Sequence, residues 1–216
     1  MNKTDLQNIV KELSQKRPVF HSEADFQFAL ACEIVKKFPN ANIRLERPFG
    51  YEMNKYLDIL VQINDGLYPI ELKYKTAKLN TDTITINGDE YRLKTHGARD
   101  LNAYDCLKDI QRIEELSEIP EFKLGFVVWL VNDSAYWKEP RNPNANYADF
   151  AIYEGALKTG RMSWRNNSKS QSLKTRRGIE LRNRYQINWR SYSNLGVNVK
   201  NGEFRYALLS IESSQP

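Results

Sequence analysis

The sequence predicts an α/β protein with an αβββαβ core, flanking helices, an inserted hairpin and a basic C-terminal elaboration. Three observations predict it. Two runs rich in Ile, Leu, Val and Tyr, residues 56–63 and 67–76, flank Asn64-Asp65-Gly66, a turn signal that makes them a β-hairpin. Two stretches with apolar residues at helical spacing, one beginning at Ser22 and one covering 97–118, bracket that hairpin. Residues 123–131, KLGFVVWLV, form a near-continuous apolar run, which suits a strand buried on both faces in the middle of a sheet.

The elements follow in chain order. Residues 4–16 read as a short helix capped by Thr4 or Asp5, with no chemistry assigned. Ser22 is a good N-cap for the next helix, and Asp25 sits where a capping-box acid would. Phe26, Leu30 and Ile34 give that helix its i, i+4 core stripe. NIRLER, residues 42–47, is a short strand broken by Pro48-Phe49-Gly50. Residues 81–95 carry a second hairpin around Asn87-Gly88, read as a surface insertion. In the 97–118 helix, Ala103, Leu107, Ile110 and Glu114 lie near one stripe, and Asp100, Tyr104, Lys108 and Arg112 form another. RYALLSI, residues 205–211, supplies a further strand beside 123–131.

One domain spanning 1–216 is the default at this length, with its core in about 20–131 plus 204–212. Residues 132–200 are an elaboration on it. Within them 138–146 is a loop, 147–158 a short helix or a strand, and 166–172 a mobile loop. Alternation over 181–193 suggests a strand with Arg182, Arg184, Gln186, Asn188 and Arg190 on one face.

The net charge of +5 is unevenly spread. Residues 155–200 hold eleven Lys and Arg against one acid, Glu180, so this segment carries +10 and the rest of the chain 5 − 10 = −5. Lys174, Arg176, Arg177, Arg182, Arg184 and Arg190 are its candidate phosphate contacts, and Trp164, Tyr185, Trp189 and Tyr192 its candidate stacking platforms for unpaired bases. The bland reading of such a run is solubility; the lopsided charge favours a nucleic-acid partner. No run approaches 18 apolar residues, and the N-terminus lacks a signal-peptide apolar region. Cys32 and Cys106, both in predicted helices, fit reduced thiols in a cytoplasmic protein. With two histidines and no Cys/His cluster, a structural zinc site is not expected.

With Asp65-Gly66 as a two-residue turn, paired hairpin residues sum to 64 + 67 = 131. Leu57, Ile59, Val61 and Ile63 then share an apolar face with Tyr74, Leu72, Ile70 and Tyr68. The other face sets Asp58 opposite Lys73 and Leu60 opposite Glu71, so the two acids are diagonal neighbours roughly 7–8 Å apart. Two carboxylates and an ammonium on one sheet face suit a divalent metal, since Mg²⁺ takes one or two carboxylates plus phosphate oxygens. The alternative is a solvated face on which Asp58 and Lys73 form an ordinary ion pair.

Asp58 followed after 71 − 58 = 13 residues by Glu71-Leu72-Lys73 resembles the core motif of the PD-(D/E)xK nuclease superfamily, the restriction-endonuclease-like fold. Glu-x-Lys alone is nearly worthless, because charged residues make up about 25% of proteins. Its weight comes from the hairpin, the acidic helix before it and the helix after it, over roughly Ser22 to Val131. Leu57 stands where the family's nominal proline would.

The resemblance implies a mixed central sheet and a Mg²⁺-dependent DNA nuclease, with Mn²⁺ expected to substitute. Asp58 and Glu71 would hold the metal, helped by the Leu72 carbonyl and by Glu23 on the first core helix, and Lys73 would assist at the phosphate. Glu23 also has a plain reading as an acid favoured by the helix dipole, and Glu33 is a weaker rival deeper in the helix. Tyr104 and Lys108 are helper candidates from the helix after the hairpin. Cutting both strands of a duplex favours a homodimer, though no interface is legible. Two further readings stay open: a non-catalytic nucleic-acid-binding protein on the same fold, and a protein whose basic strip meets an acidic partner.

Overall fold

The computed structural model describes residues 1–48, 56–165 and 176–214. Lys174, the 166–172 loop, Phe49 and Gly50 lie outside the described residues. Three α-helices, α1 (Lys3–Lys16), α2 (Glu23–Lys37) and α3 (Arg99–Leu116), occur among the described residues, with ten strands. Six strands form one mixed sheet in the order β1-β2-β3-β6-β10-β9: β1 (Asn42–Pro48), β2 (Tyr56–Ile63), β3 (Gly66–Lys75), β6 (Leu124–Val131), β9 (Trp189–Asn194) and β10 (Glu203–Glu212). Among these strands β3 and β6 alone pair in parallel, with α3 as their crossover. Two hairpins lie outside that sheet, β4 (Ile84–Ile86) with β5 (Asp89–Tyr91) and β7 (Leu157–Met162) with β8 (Ile179–Gln186).

Residue pattern explains the layering. Phe126, Val128 and Leu130 of β6 join one core with α1 and α2, while Val127 and Trp129 join the other with α3 and the β7–β8 hairpin. That two-sided burial is why the run carries no polar alternation. Asn2, not Thr4 or Asp5, caps α1, closing a capping box with Asp5. Ser22 caps α2 through the Asp25 amide, and the Asp25 carboxylate reaches back to the His21 amide and takes both Arg17 contacts. Phe26, Leu30 and Ile34 are fully buried against the sheet, as their spacing requires.

The β4–β5 insertion is tied down by Tyr91, which is buried and stacks on His21 at 4.3 Å. Residues 147–158 resolve into a single turn of 3-10 helix (Ala148–Phe150), irregular chain and the start of β7. The 181–193 alternation is real, but it belongs to two strands. The chain leaves β8 at Gln186 and enters β9 at Trp189, in different sheets.

Gly125 lets α3 close on β6. A Cβ there would stand 2.2 Å from Ile113 Cγ2 and 2.9 Å from Phe122 Cζ. Gly125→Ala is therefore expected to destabilise the protein by about 1–3 kcal/mol, the usual cost of overpacking. Urea denaturation with an unchanged m-value would show it.

No helix among the described residues is long and apolar enough to cross a membrane.

Candidate functional site

The hairpin register differs from the expected one. Asn64-Asp65 make the turn, with Asn64 at φ 51, and Gly66 pairs with Ile63, so partners sum to 129 instead of 131. Gly66 instead fills a strand position where a Cβ would meet Lys123 Cγ at 2.8 Å. A shift of two keeps the faces but changes the partners. Leu60 lies opposite Pro69, and extending the register brings Glu71 level with Asp58, since 129 − 58 = 71.

The β2–β3 ladder stops at Ile59–Ile70. Near Asp58 the strand loses its alternation. Leu57 packs with Leu60 on the α3 side instead of joining Ile59 and Val61, so seven of the eight expected apolar residues share a face. Opposite, Glu46 adopts φ 49 and drops out of the β1–β2 register.

This break creates the site. Beyond Ile70, β3 pairs only with β6, leaving its outward amides without a β2 partner. Carboxylates take them: Asp58 Oδ2 accepts from the Leu72 amide at 2.6 Å, and Glu23 Oε2 accepts from the Tyr74 amide at 2.6 Å and from Lys75 Nζ at 3.1 Å. The Gln27 side chain donates to the Asp58 carbonyl at 2.6 Å, fixing the kink.

The sheet face under α3 carries the rest. Lys73 Nζ is 2.7 Å from Asp109 Oδ2 and donates to the Leu72 carbonyl at 3.0 Å. Glu71, 1% exposed, has Oε1 2.9 Å from Arg112 Nη2, an ion pair without hydrogen-bond alignment. Arg112 also donates to the Tyr56 carbonyl at 2.5 Å, and its Nη1 is 3.7 Å from Asp109 Oδ1.

Three acids thus face two cations in a dry setting. Burial, then the charges of Asp109 and Asp58, push the Glu71 carboxyl up to about 10. Burial likewise raises Asp109 to about 6, against the pull of Lys73. Burial opposes the Lys73 ammonium, but Asp109, Glu23 and Asp58 outweigh it and hold Lys73 above the ordinary lysine range.

Asp58, Glu71 and Lys73 therefore meet around one stretch of β3, with Glu23 at its edge. Glu23 is committed to the backbone beyond the end of β2. Among the described residues no group of three or more His, Cys, Asp or Glu side chains is arranged to hold a metal, so the expected trio of Glu23, Asp58 and Glu71 is not assembled. Glu33 is drawn to α1 by Lys16 and to Lys36, each at 2.6 Å.

The helper candidates on α3 have partners of their own. Tyr104 donates to the Arg177 carbonyl and packs on Phe150 and Trp164, and Lys108 bonds Gln111. The residues of α3 that reach the site are Asp109 and Arg112. A signal for them existed: Asp105, Asp109 and Arg112 lie on one helix face and match Lys75, Lys73 and Glu71 in opposite charge and reversed order.

The basic segment keeps its charge but loses its platforms. Tyr185, Trp189 and Tyr192 are buried, their polar tips bonded to Glu114, the Ile152 carbonyl and the Arg17 carbonyl. Trp164 packs on Phe150 at 4.5 Å. Alternation points Tyr185, Trp189 and Tyr192 inward, so these three are core residues and not stacking surfaces, while Trp164 is half-buried against that core. Arg177, Arg182, Arg184 and Arg190 are exposed, with Arg182 paired to Glu118 at 2.5 Å, while Arg176 leans over Tyr104.

A cleft of about 1080 Å³ at the N-terminal end of α3 is lined by none of Asp58, Glu71 and Lys73. Size alone would favour it. The convergence of buried acids and cations marks the β3 cluster as the chemically distinctive place.

The fold and site define an α/β protein with a charged cluster at a broken strand ladder. Comparisons with protein families, curated proteins and solved structures found no match for this chain.

Proposed function

We propose that this protein is a divalent-metal-dependent DNA nuclease of the PD-(D/E)xK type, hydrolysing phosphodiester bonds. The observation that carries the reading is the break in the β2–β3 ladder, where Asp58, Glu71 and Lys73 converge. The element order α2-β1-β2-β3-α3-β6 agrees with the αβββαβ core of a restriction-endonuclease-like fold.

The donor set suits a hard cation. Mg²⁺ takes one or two carboxylates and leaves its other positions to water and phosphate, which Asp58, Glu71 and the Leu72 carbonyl satisfy. Glu71 Oε1, buried and without a hydrogen bond, has coordination to spare. When bound, Mg²⁺ or Mn²⁺ supplies an activated water and a Lewis acid for the scissile phosphate. Lys73, kept charged by Asp109, neutralises negative charge building on that phosphate. Glu23 holds Tyr74 and Lys75 and so sets the edge against which Lys73 is aimed. Arg177, Arg182, Arg184 and Arg190 contact the DNA backbone.

A cleavage panel of linear, nicked, forked, four-way and single-stranded DNA with Mg²⁺ tests the reading. Asp58→Asn and Lys73→Ala are each expected to lower the rate by about 10³-fold or more, comparable to losing one strong transition-state contact. Full activity in both variants would end the assignment.

A second reading has its own observation. The Lys73–Asp109 and Arg112–Glu71 pairs already neutralise much of the site, which suits a non-catalytic nucleic-acid-binding protein. It predicts salt-dependent DNA binding in EDTA with no cleavage in Mg²⁺ or Mn²⁺.

A further inference from the structure

We propose that Arg112 is the resident counter-ion of this site and that a divalent cation must displace it from Glu71, making Arg112 a positioning residue that sets metal affinity. The inference rests on the metal-dependent reading above.

The geometry is that of a dislodgeable contact. Arg112 reaches Glu71 from α3 with one nitrogen, Nη2, at 2.9 Å and without hydrogen-bond alignment. A guanidinium that recognises a carboxylate for keeps uses its planar fork with two parallel bonds. Here the fork is unused, and Arg112 Nε is buried with no hydrogen-bond partner.

The contact also has somewhere to go. Arg112 keeps the Tyr56 carbonyl at 2.5 Å and Asp109 Oδ1 at 3.7 Å when Glu71 is released. Tyr56 opens β2 two residues before Asp58, so the guanidinium stays beside the site after it yields Glu71.

Charge counting gives the direction. In the metal-bound site, where all three acids are ionised, Asp58, Glu71 and Asp109 against Lys73 and Arg112 contribute −3 + 2 = −1. A divalent cation brings this to +1, and one incoming phosphodiester brings it to zero. Arg112 and the metal compete for Glu71, so each weakens the other's hold by the same factor.

Mn²⁺ binding to the full chain, followed by the electron paramagnetic resonance signal of free Mn²⁺, tests this. Arg112→Gln is expected to bind about tenfold more tightly than wild type, and Asp58→Asn to bind much more weakly. At fixed Mn²⁺ the rise in Tm should be larger for Arg112→Gln than for wild type. Wild-type protein provides a readout that no variant's folding can spoil: the Arg112 Nε–H resonance should shift during a Mg²⁺ titration with the midpoint of binding. Unchanged or weaker binding by Arg112→Gln, with Asp58→Asn impaired, overturns the competition while leaving the metal site standing. An Arg112 resonance that ignores saturating Mg²⁺ overturns it too. Absence of saturable binding by wild type and Arg112→Gln alike overturns the metal reading itself.

Discussion

Replacing Glu71 by glutamine is expected to stabilise the metal-free protein and to abolish Mg²⁺-dependent cleavage. Glu71 is almost fully buried, and its neighbours are two acids as well as Arg112. Glutamine keeps the shape and an acceptor oxygen and is neutral at every pH, so the fold no longer has to take up a proton there, and Asp58 and Asp109 stay balanced by Lys73 and Arg112. The sign follows from linkage. The folded-state pKa of Glu71 is raised from 4.5 to about 10, so between those values the native state holds a proton that the unfolded chain releases. Its contribution to stability is complete below pH 4.5 and is lost as pH rises toward 10. Asp109 adds a loss of the same sign between 3.8 and about 6.

At pH 8, Glu71→Gln is therefore expected to gain about 2 kcal/mol, or roughly 4–8 °C in Tm for a protein of this size. The gain should shrink toward pH 4.5 and be offset in the wild type by saturating Mg²⁺. Thermal unfolding in EDTA across that range checks it. A Glu71→Gln protein less stable than wild type at pH 8 would contradict the charge balance. A gain in stability with a loss of activity is the pattern expected of a strained functional group.

Removing Glu114 is expected to have the opposite and larger effect. This α3 carboxylate is 1% exposed and accepts from the backbone amides of Arg182 and Asn183, from Asn183 Nδ2 and from the Tyr185 hydroxyl, all between 2.8 and 3.2 Å. It receives β8 where the β7–β8 register shifts, between Lys158 and Gly160. Glu114→Ala leaves four donors without an acceptor and opens a void, at a cost of about 3–5 kcal/mol. A fall in Tm of roughly 10 °C should follow, with faster amide exchange at Arg182 and Asn183. Glu114→Gln keeps one oxygen and should lose about half as much. Amide exchange at β8 no faster in Glu114→Ala than in wild type would show that other contacts hold the hairpin.

Glu114 also shows where reading a sequence stops. At helical spacing it falls on the apolar stripe of Ala103, Leu107 and Ile110, and periodicity rightly places it inward. Its partners lie about 70 residues away on a hairpin that periodicity alone does not dock. The aromatics of the basic segment fail for the same reason. Tyr185 and Trp189 alternate with arginines, and only the packed structure decides which side meets a core.

By itself the sequence determined the local elements: the Ser22 cap, the helical stripes, the hairpins and the doubly buried β6 run. Each of these depends on residues within a few positions of one another, where steric preference and the 3.6 or 2.0 residue period act directly. It also set Glu71 and Lys73 on one face, because that needs only strand parity, while Asp58 comes in where the alternation of β2 breaks. Tertiary structure decided the rest: the turn one residue earlier than expected, the end of the β2–β3 ladder, the diversion of Glu23 to β3 amides, and the arrival of Asp109 and Arg112 from α3. Those outcomes depend on which distant group satisfies each buried donor, acceptor and charge, and that competition is settled only when the layers pack.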